Sequence, residues 1–201
     1  MRLKEGNKEK DILDASVRVF AEHGYHQAKI SEIAEVAGVA TGSVYLYYKN
    51  KEAILNKIFE NLWRDIEKGM QAIADRSELN PIEKLDGMID LFFDKLIDNP
   101  QLAIVFVNEL HFILHGGSTG FTRSYQKFLG FAGQVFTEGI RDGLINAHID
   151  IDITRHFLLG GLRTLVREWA HNQDTLPLNT IRNGVKSLIK YGVASRIKQR
   201  I

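Results

Sequence analysis

Tyr45 and Tyr47 follow closely on Thr41, Gly42 and Ser43, and hydroxyl-bearing side chains around such small residues suit contact with a nucleic acid. Phenol and alcohol groups donate to phosphates and base edges, and glycine and serine let a backbone approach the duplex closely. Farther along, Glu109, His111 and His115 are the residue types of a metal site, the two imidazoles four apart on one helical face. The same three also serve as ordinary packing or hydrogen-bonding groups. Nothing resembles a catalytic constellation: no nucleotide-binding glycine motif, nucleophile elbow or paired-acid motif stands out. With no cysteine, the chain has no disulfide, thiolate metal site or cysteine nucleophile. The expectation is a binding protein, not an enzyme, with no catalytic residue, metal or cofactor.

Residues 30–51 read as two short helices and a tight turn. Ile33, Val36 and Ala37 fall on one face of the first helix, and Gly38 supplies the turn. Thr41 is placed to cap the second helix by accepting from an orphaned backbone N–H. Val44 and Tyr48 share the inward face, which leaves Thr41, Gly42, Tyr45 and Tyr47 pointing elsewhere. That is the layout of a helix-turn-helix, whose second helix lays its first residues against bases in the major groove. An ordinary helical hairpin has the same spacing. Upstream, a helix over about residues 8–23 puts Ile12, Ser16, Val19 and Phe20 on one face and stops at Gly24. The basic arm of Arg2, Lys4, Lys8 and Lys10 either tracks phosphates or frays in solvent. Either Lys29 or Ser31 begins the next helix.

The rest of the chain is punctuated by Pro81, Pro100 and Pro177, each where a helix would begin. β-type alternation is scarce, so the fold class is all-α, with about nine helices. A long fourth helix carries Ile54, Leu55, Ile58, Phe59, Leu62, Trp63 and Ile66. Residues 102–107 are apolar all round and read as a buried helix. Phe92, Phe106, Phe112, Tyr125, Phe128 and Phe131 together suit a long apolar ligand, with Asn108 and Glu109 as orienting polar groups. Arg123 and Arg163 could meet an anionic head group. Each ring taken singly fits a packed core equally well. The last two helices, over about residues 153–172 and 178–198, are candidates for dimerisation. Leu158, Gly161, Leu162, Leu165 and Trp169 form one stripe, and Ile181, Val185, Leu188, Ile189 and Gly192 another. Arg196, Lys198 and Arg200 close the chain as a solvated tail.

The net charge is +1, so any DNA contact depends on local placement of charge. No signal peptide or membrane-spanning run is apparent, so a cytoplasmic protein without a membrane partner is expected. At 201 residues and 44% hydrophobic content, the chain can bury a substantial core.

Gly24-Tyr25, Ile33-Ala34, Ala37-Gly38-Val39, Gly42-Ser43, Val44-Tyr45, Tyr47-Tyr48 and Lys49-Asn50-Lys51, at these spacings, resemble the N-terminal domain of TetR-family transcriptional regulators over roughly residues 8–55. The resemblance implies a DNA-binding domain over residues 1–51 and a ligand-binding and dimerisation domain over residues 52–201. It also implies a homodimer on double-stranded operator DNA, paired through the last two helices, with repression released by a small-molecule effector. Lys51 matches the phosphate-contacting lysine of that family. Ala28 and Lys29 depart from its usual hydroxyl residues, so Lys29 would offer a phosphate a charge instead. The fourth helix would be the lever between the domains. Residues 24–55, 99–105 and 137–143 are also similar to the FadR-type fatty-acid-degradation repressors of Bacillus-like bacteria. This implies long-chain acyl-CoA as effector. The alternative is an aromatic or cationic molecule that induces an efflux or detoxification gene. A helical scaffold without DNA affinity is the competing class, and it predicts no salt-dependent binding to duplex.

Overall fold

The computed structural model describes residues 8–116, 119–173 and 176–193. Within them lie α1 (Lys8–Gln27), α2 (Ile30–Val36), α3 (Thr41–Tyr47), α4 (Lys51–Ala74), α5 (Pro81–Ile97), α6 (Pro100–Gly116), α7 (Thr119–Arg141), α8 (Ile151–His171) and α9 (Leu178–Leu188). A π-helical turn, Ile189–Val193, follows, and no strand occurs among the described residues. The all-α expectation holds. The basic arm's Arg2 and Lys4 and the tail's Arg196, Lys198 and Arg200 lie outside the described residues.

Local sequence explains where the helices begin. At α5, Asn80 Oδ1 accepts from the N–H groups of Ile82 and Glu83 at 2.9 and 3.1 Å, while Glu83 Oε2 accepts from Asn80 N–H at 2.9 Å. This reciprocal cap satisfies donors that the first turn cannot, and Pro81 occupies the position that needs none. Asn99 Oδ1 accepts from Leu102 N–H at 3.0 Å ahead of α6. Pro177 precedes α9. Gly24 interrupts α1 without ending it. Its φ of 74° breaks the helical geometry, and the chain then resumes a turn to Gln27. The expected stop at Gly24 is therefore a kink, because glycine accepts positive φ without a Cβ clash.

The chain packs as two compact units, the first running to Leu62 and adding Asn99–Thr122, the second comprising Trp63–Asp98 and the chain from Arg123 on. In the first, α6 lies against α1, and Ile12, Val19 and Phe20 are buried together with Ser16, whose Oγ donates to Ile12 O at 2.7 Å. Phe106 stacks on Phe59 with ring centres 6.2 Å apart. In α6, Ala103, Val105, Phe106 and Val107 are buried, whereas Leu102 and Ile104 are half-buried. In the second unit Trp63 meets Phe128 edge-on at 5.1 Å, beside buried Leu85, Phe93, Leu96 and Phe136. Lys84, 4% exposed, is tolerated there because Nζ donates to both Glu138 oxygens at 2.9 Å. A Cβ on Gly139 would collide with the Ile145 side chain and lie 3.2 Å from Pro81 Cβ, so this glycine serves close packing.

Candidate DNA-reading surface and ligand cavity

Lys29 takes the extended backbone ahead of α2 (φ −111°, ψ 146°), and Glu32 Oε2 accepts its N–H at 3.0 Å. Lys29, not Ser31, is the cap residue, and its ammonium stays in solvent, 4.0 Å from Glu32. Ile33 and Ala34 pack inward, while Val36 is exposed, so the apolar face expected at Val36 is turned by about one residue. Gly38 makes the turn at φ 66°. Ala40, not Thr41, then caps α3, with no side-chain hydrogen bond. Because Ala40 supplies the extended backbone, the cap expected at Thr41 falls one residue early and the Thr41 side chain stays on the surface.

Val44 and Tyr48 anchor α3, both fully buried. Tyr48 Oη donates to Glu9 Oε1 at 3.0 Å, and burial, reinforced by that carboxylate, pushes the phenol well above its ordinary range. Tyr45 and Tyr47 are 55% and 45% exposed, and Leu46 between them is 84% exposed. Gly42 is open and Ser43 half-buried. The sequence did not single out Leu46, because an apolar residue in a short helix looks like core.

Lys51 requires a correction. Its Nζ donates to Tyr25 O at 2.7 Å, His26 O at 2.9 Å and Ala28 O at 2.7 Å, and lies 5.0 Å from the centre of the Tyr25 ring. An ammonium has three donors and all are engaged, so it has none left for a phosphate. It closes the exposed carbonyls at the end of α1 and fixes the turn from which Lys29 projects. Asn50 Oδ1 accepts from Ala53 N–H at 2.8 Å and caps α4.

The second unit holds an apolar cavity of about 70 Å³ among α4, α5, α7, α8 and α9. Phe92, Phe128, Phe136, Leu158 and Leu162 are among its walls, and Met70 and Met88 reach into it. Phe92 and Phe128 are thus the predicted ligand residues that meet there. Phe131 and Arg163 are half-buried and are not among the lining residues. Arg123 is exposed. Phe106 belongs to the first unit, on Phe59. Asn108 is exposed on α6, so it does not orient anything in an apolar interior. Glu109 is half-buried, and its charge joins burial and Glu52 in raising the Tyr25 phenol above its ordinary range. The side chains of Phe112, Tyr125, His111 and His115 lie outside the described residues, and the metal expectation with them.

Among the described residues, the cavity's one charged wall residue is Arg155, which sequence reasoning missed. Nη2 lies 3.0 Å from Asp152 Oδ1, Nη1 makes a long 3.4 Å contact with Leu129 O, and Nε is buried without a partner. The available signal was a cation one turn ahead of the Leu158–Leu162 stripe. That stripe faces the cavity, and Trp169, Ile181, Val185 and Ile189 are buried. The surfaces expected to dimerise therefore point mostly inward. Part of the expected stripes stays outside: Leu188 is 53% exposed, and Gly161 and Gly192 have open space beside them, as do Gly160 and Gly184. Ile153 (69%), Phe157 (73%) and Tyr191 (78%) are exposed on the same stretch of chain.

Residues 12–58 match the family described as bacterial regulatory proteins, tetR family, and residues 59–192 match the C-terminal region of YsiA-like protein. The chain is 34% identical over 186 residues to the fatty acid metabolism regulator protein of Bacillus subtilis, covering 92% of this chain and 95% of that one. It is similar to the fatty acid degradation regulator FadR of Bacillus halodurans (TM-score 0.82, 30% identity, 94% and 97% of the two chains). It is also similar to FadR of Bacillus subtilis in complex with stearoyl-CoA (TM-score 0.77, 32% identity, 91% and 98%).

Proposed function

The chain belongs to the TetR family of bacterial regulatory proteins, and from this we propose that it is a repressor of fatty-acid degradation genes, released from operator DNA by a long-chain acyl-CoA. The supporting observation is the apolar cavity walled by Phe92 and Phe128 with the cation Arg155 at its edge, in a chain alike over most of its length to a fatty acid metabolism regulator. A cavity of 70 Å³ is far smaller than the roughly 300–1,000 Å³ of ligand pockets, so an acyl chain must part its walls. Met70 and Met88 suit this, because unbranched thioethers repack readily. Parting the walls couples occupancy to geometry, and a ligand that prefers the open arrangement by about 1–3 kcal/mol shifts the equilibrium enough to matter.

In this reading residues 1–51 carry the DNA contacts. Thr41, Gly42, Ser43, Tyr45 and Tyr47 lie against base edges and phosphates, and Lys29 adds a charge for the backbone. Residues 52–201 carry the effector and dimer contacts, with α4 as the lever between the two roles. One short reading helix touches too few bases to be selective, so two copies act together. The exposed faces of α8 and α9 are where they join, with Phe157 and Ile153 as anchors and the glycines admitting close crossing. The protein works by binding, without turnover. No described helix is long and apolar enough to cross a membrane, and its place of action is the cytoplasm, beside the chromosome.

The test is fluorescence anisotropy on duplex from the gene's own upstream region, titrated separately with long-chain acyl-CoA, free fatty acid and CoA. Release by acyl-CoA alone is expected. Tight binding that none of the three disturbs would remove the lipid effector and keep the repressor. Absence of salt-sensitive duplex binding would restore the scaffold reading.

A further inference from the structure

Arg155 stands where the apolar cavity meets a polar groove. The groove is walled by Gly133, Gln134, Thr137, Arg141 and Asp150, and Arg155 is the residue common to both walls. A guanidinium presents its N–H donors in a fixed fork. Here one branch reaches Asp152, another makes only the long contact with Leu129 O, and the Nε–H is buried with nothing to accept it. A buried donor without an acceptor is costly, and a ligand oxygen arriving there would remove that cost. Gly133 lies alongside, where a Cβ would stand in van der Waals contact with Nη1 at 3.6 Å.

We propose that Arg155 recognises the acyl carbonyl, its Nε–H donating to the carbonyl oxygen of a long-chain thioester whose chain enters the cavity and whose amide-bearing arm lies in the groove. This rests on the acyl-CoA reading above and assigns it a subsite. A neutral carbonyl suits the position better than a second carboxylate, because Asp152 already balances the guanidinium. The groove's other charged groups have partners too. Glu138 is held by Lys84, Arg141 by Asp142, and Asp150 accepts from Ile153 N–H at the start of α8. Such a wall takes uncharged amide groups and leaves phosphates to solvent.

Calorimetric titration of the full-length protein with palmitoyl-CoA and with S-hexadecyl-CoA separates these ideas, because the thioether keeps the chain length and head group but lacks the carbonyl. The wild type is expected to bind the thioester about tenfold more tightly or better, as a charged donor to a carbonyl would give. Arg155→Met should lower thioester affinity to the thioether's level and leave the thioether unchanged, with circular dichroism verifying the fold. Equal wild-type affinities would overturn carbonyl recognition and leave the acyl-CoA reading standing, and this arm needs no variant. Discrimination that persists in Arg155→Met would overturn the assignment to Arg155. Failure of the wild type to bind either compound would remove the acyl-CoA reading and this subsite together.

Discussion

The helix-turn-helix and the cavity region are built in opposite ways. Around α3 the backbone is fixed by buried anchors and engaged polar groups: Val44 and Tyr48 inside, Tyr48 Oη on Glu9, Lys51 Nζ on three carbonyls. What this frame offers a partner is what it leaves outside, namely Tyr45, Leu46 and Tyr47. Around the cavity charged groups pair at the margins, as in Lys186 with Asp90 and Asp86. What that region offers is unfilled space, and a donor left without an acceptor. A reading head must hold a shape, whereas an effector site must be able to change one. The first calls for over-determined contacts, and the second for adaptable side chains such as Met70 and Met88 and a reason to open.

The harshest test of this contrast is Lys51→Ala. It leaves three carbonyls without their charged donor, and a loss of about 3 kcal/mol is expected in urea unfolding. Because the ammonium is committed within the fold, the salt slope of whatever DNA binding remains should be unchanged. A flattened slope with unaltered stability would reverse the assignment.

Tyr47→Ala should do the reverse, weakening operator affinity by about 1–2 kcal/mol while leaving thermal stability within experimental scatter. Tyr45→Ala should behave alike in the same anisotropy assay. A stability loss would mean that these rings belong to the frame after all. Ala132→Leu probes the other region by filling the cavity that Ala132 lines. Operator binding should persist while the acyl-CoA concentration for half-release rises about tenfold, equivalent to roughly 1.4 kcal/mol. Unchanged release would place the effector elsewhere.

The smallest effect at neutral pH belongs to Tyr48→Phe, about 1 kcal/mol for the bond to Glu9. Its sharper signature is in alkali. The folded phenol is held above its ordinary value of 10.0, so above about pH 10 the unfolded chain releases a proton that the folded chain keeps. Stability then falls with pH, by about 1.4 kcal/mol per unit for one such group, and Tyr48→Phe should remove that component. Below about pH 9 wild type and variant should run parallel.

The sequence alone determined that the chain is helical, where α5 and α6 begin, and which residues anchor α3. Each of these follows from local rules: a capping side chain beside a proline, a glycine at positive φ, apolar residues repeating at the helical period. It also placed Tyr45 and Tyr47 outside, since Val44 and Tyr48 fix the inward face. The tertiary structure alone decided what long-range partners control. Lys51 meets carbonyls more than twenty residues upstream, which no spacing reveals. Most of the stripe residues on α8 and α9 face the cavity and core, while Leu188 stays outside, because an apolar stripe signals burial without naming what it is buried against. The pairing of Phe92 with Phe128, and the place of Arg155 at their cavity's edge, arise where α5, α7 and α8 converge. Such a site depends on which helix faces meet, and that is settled by packing.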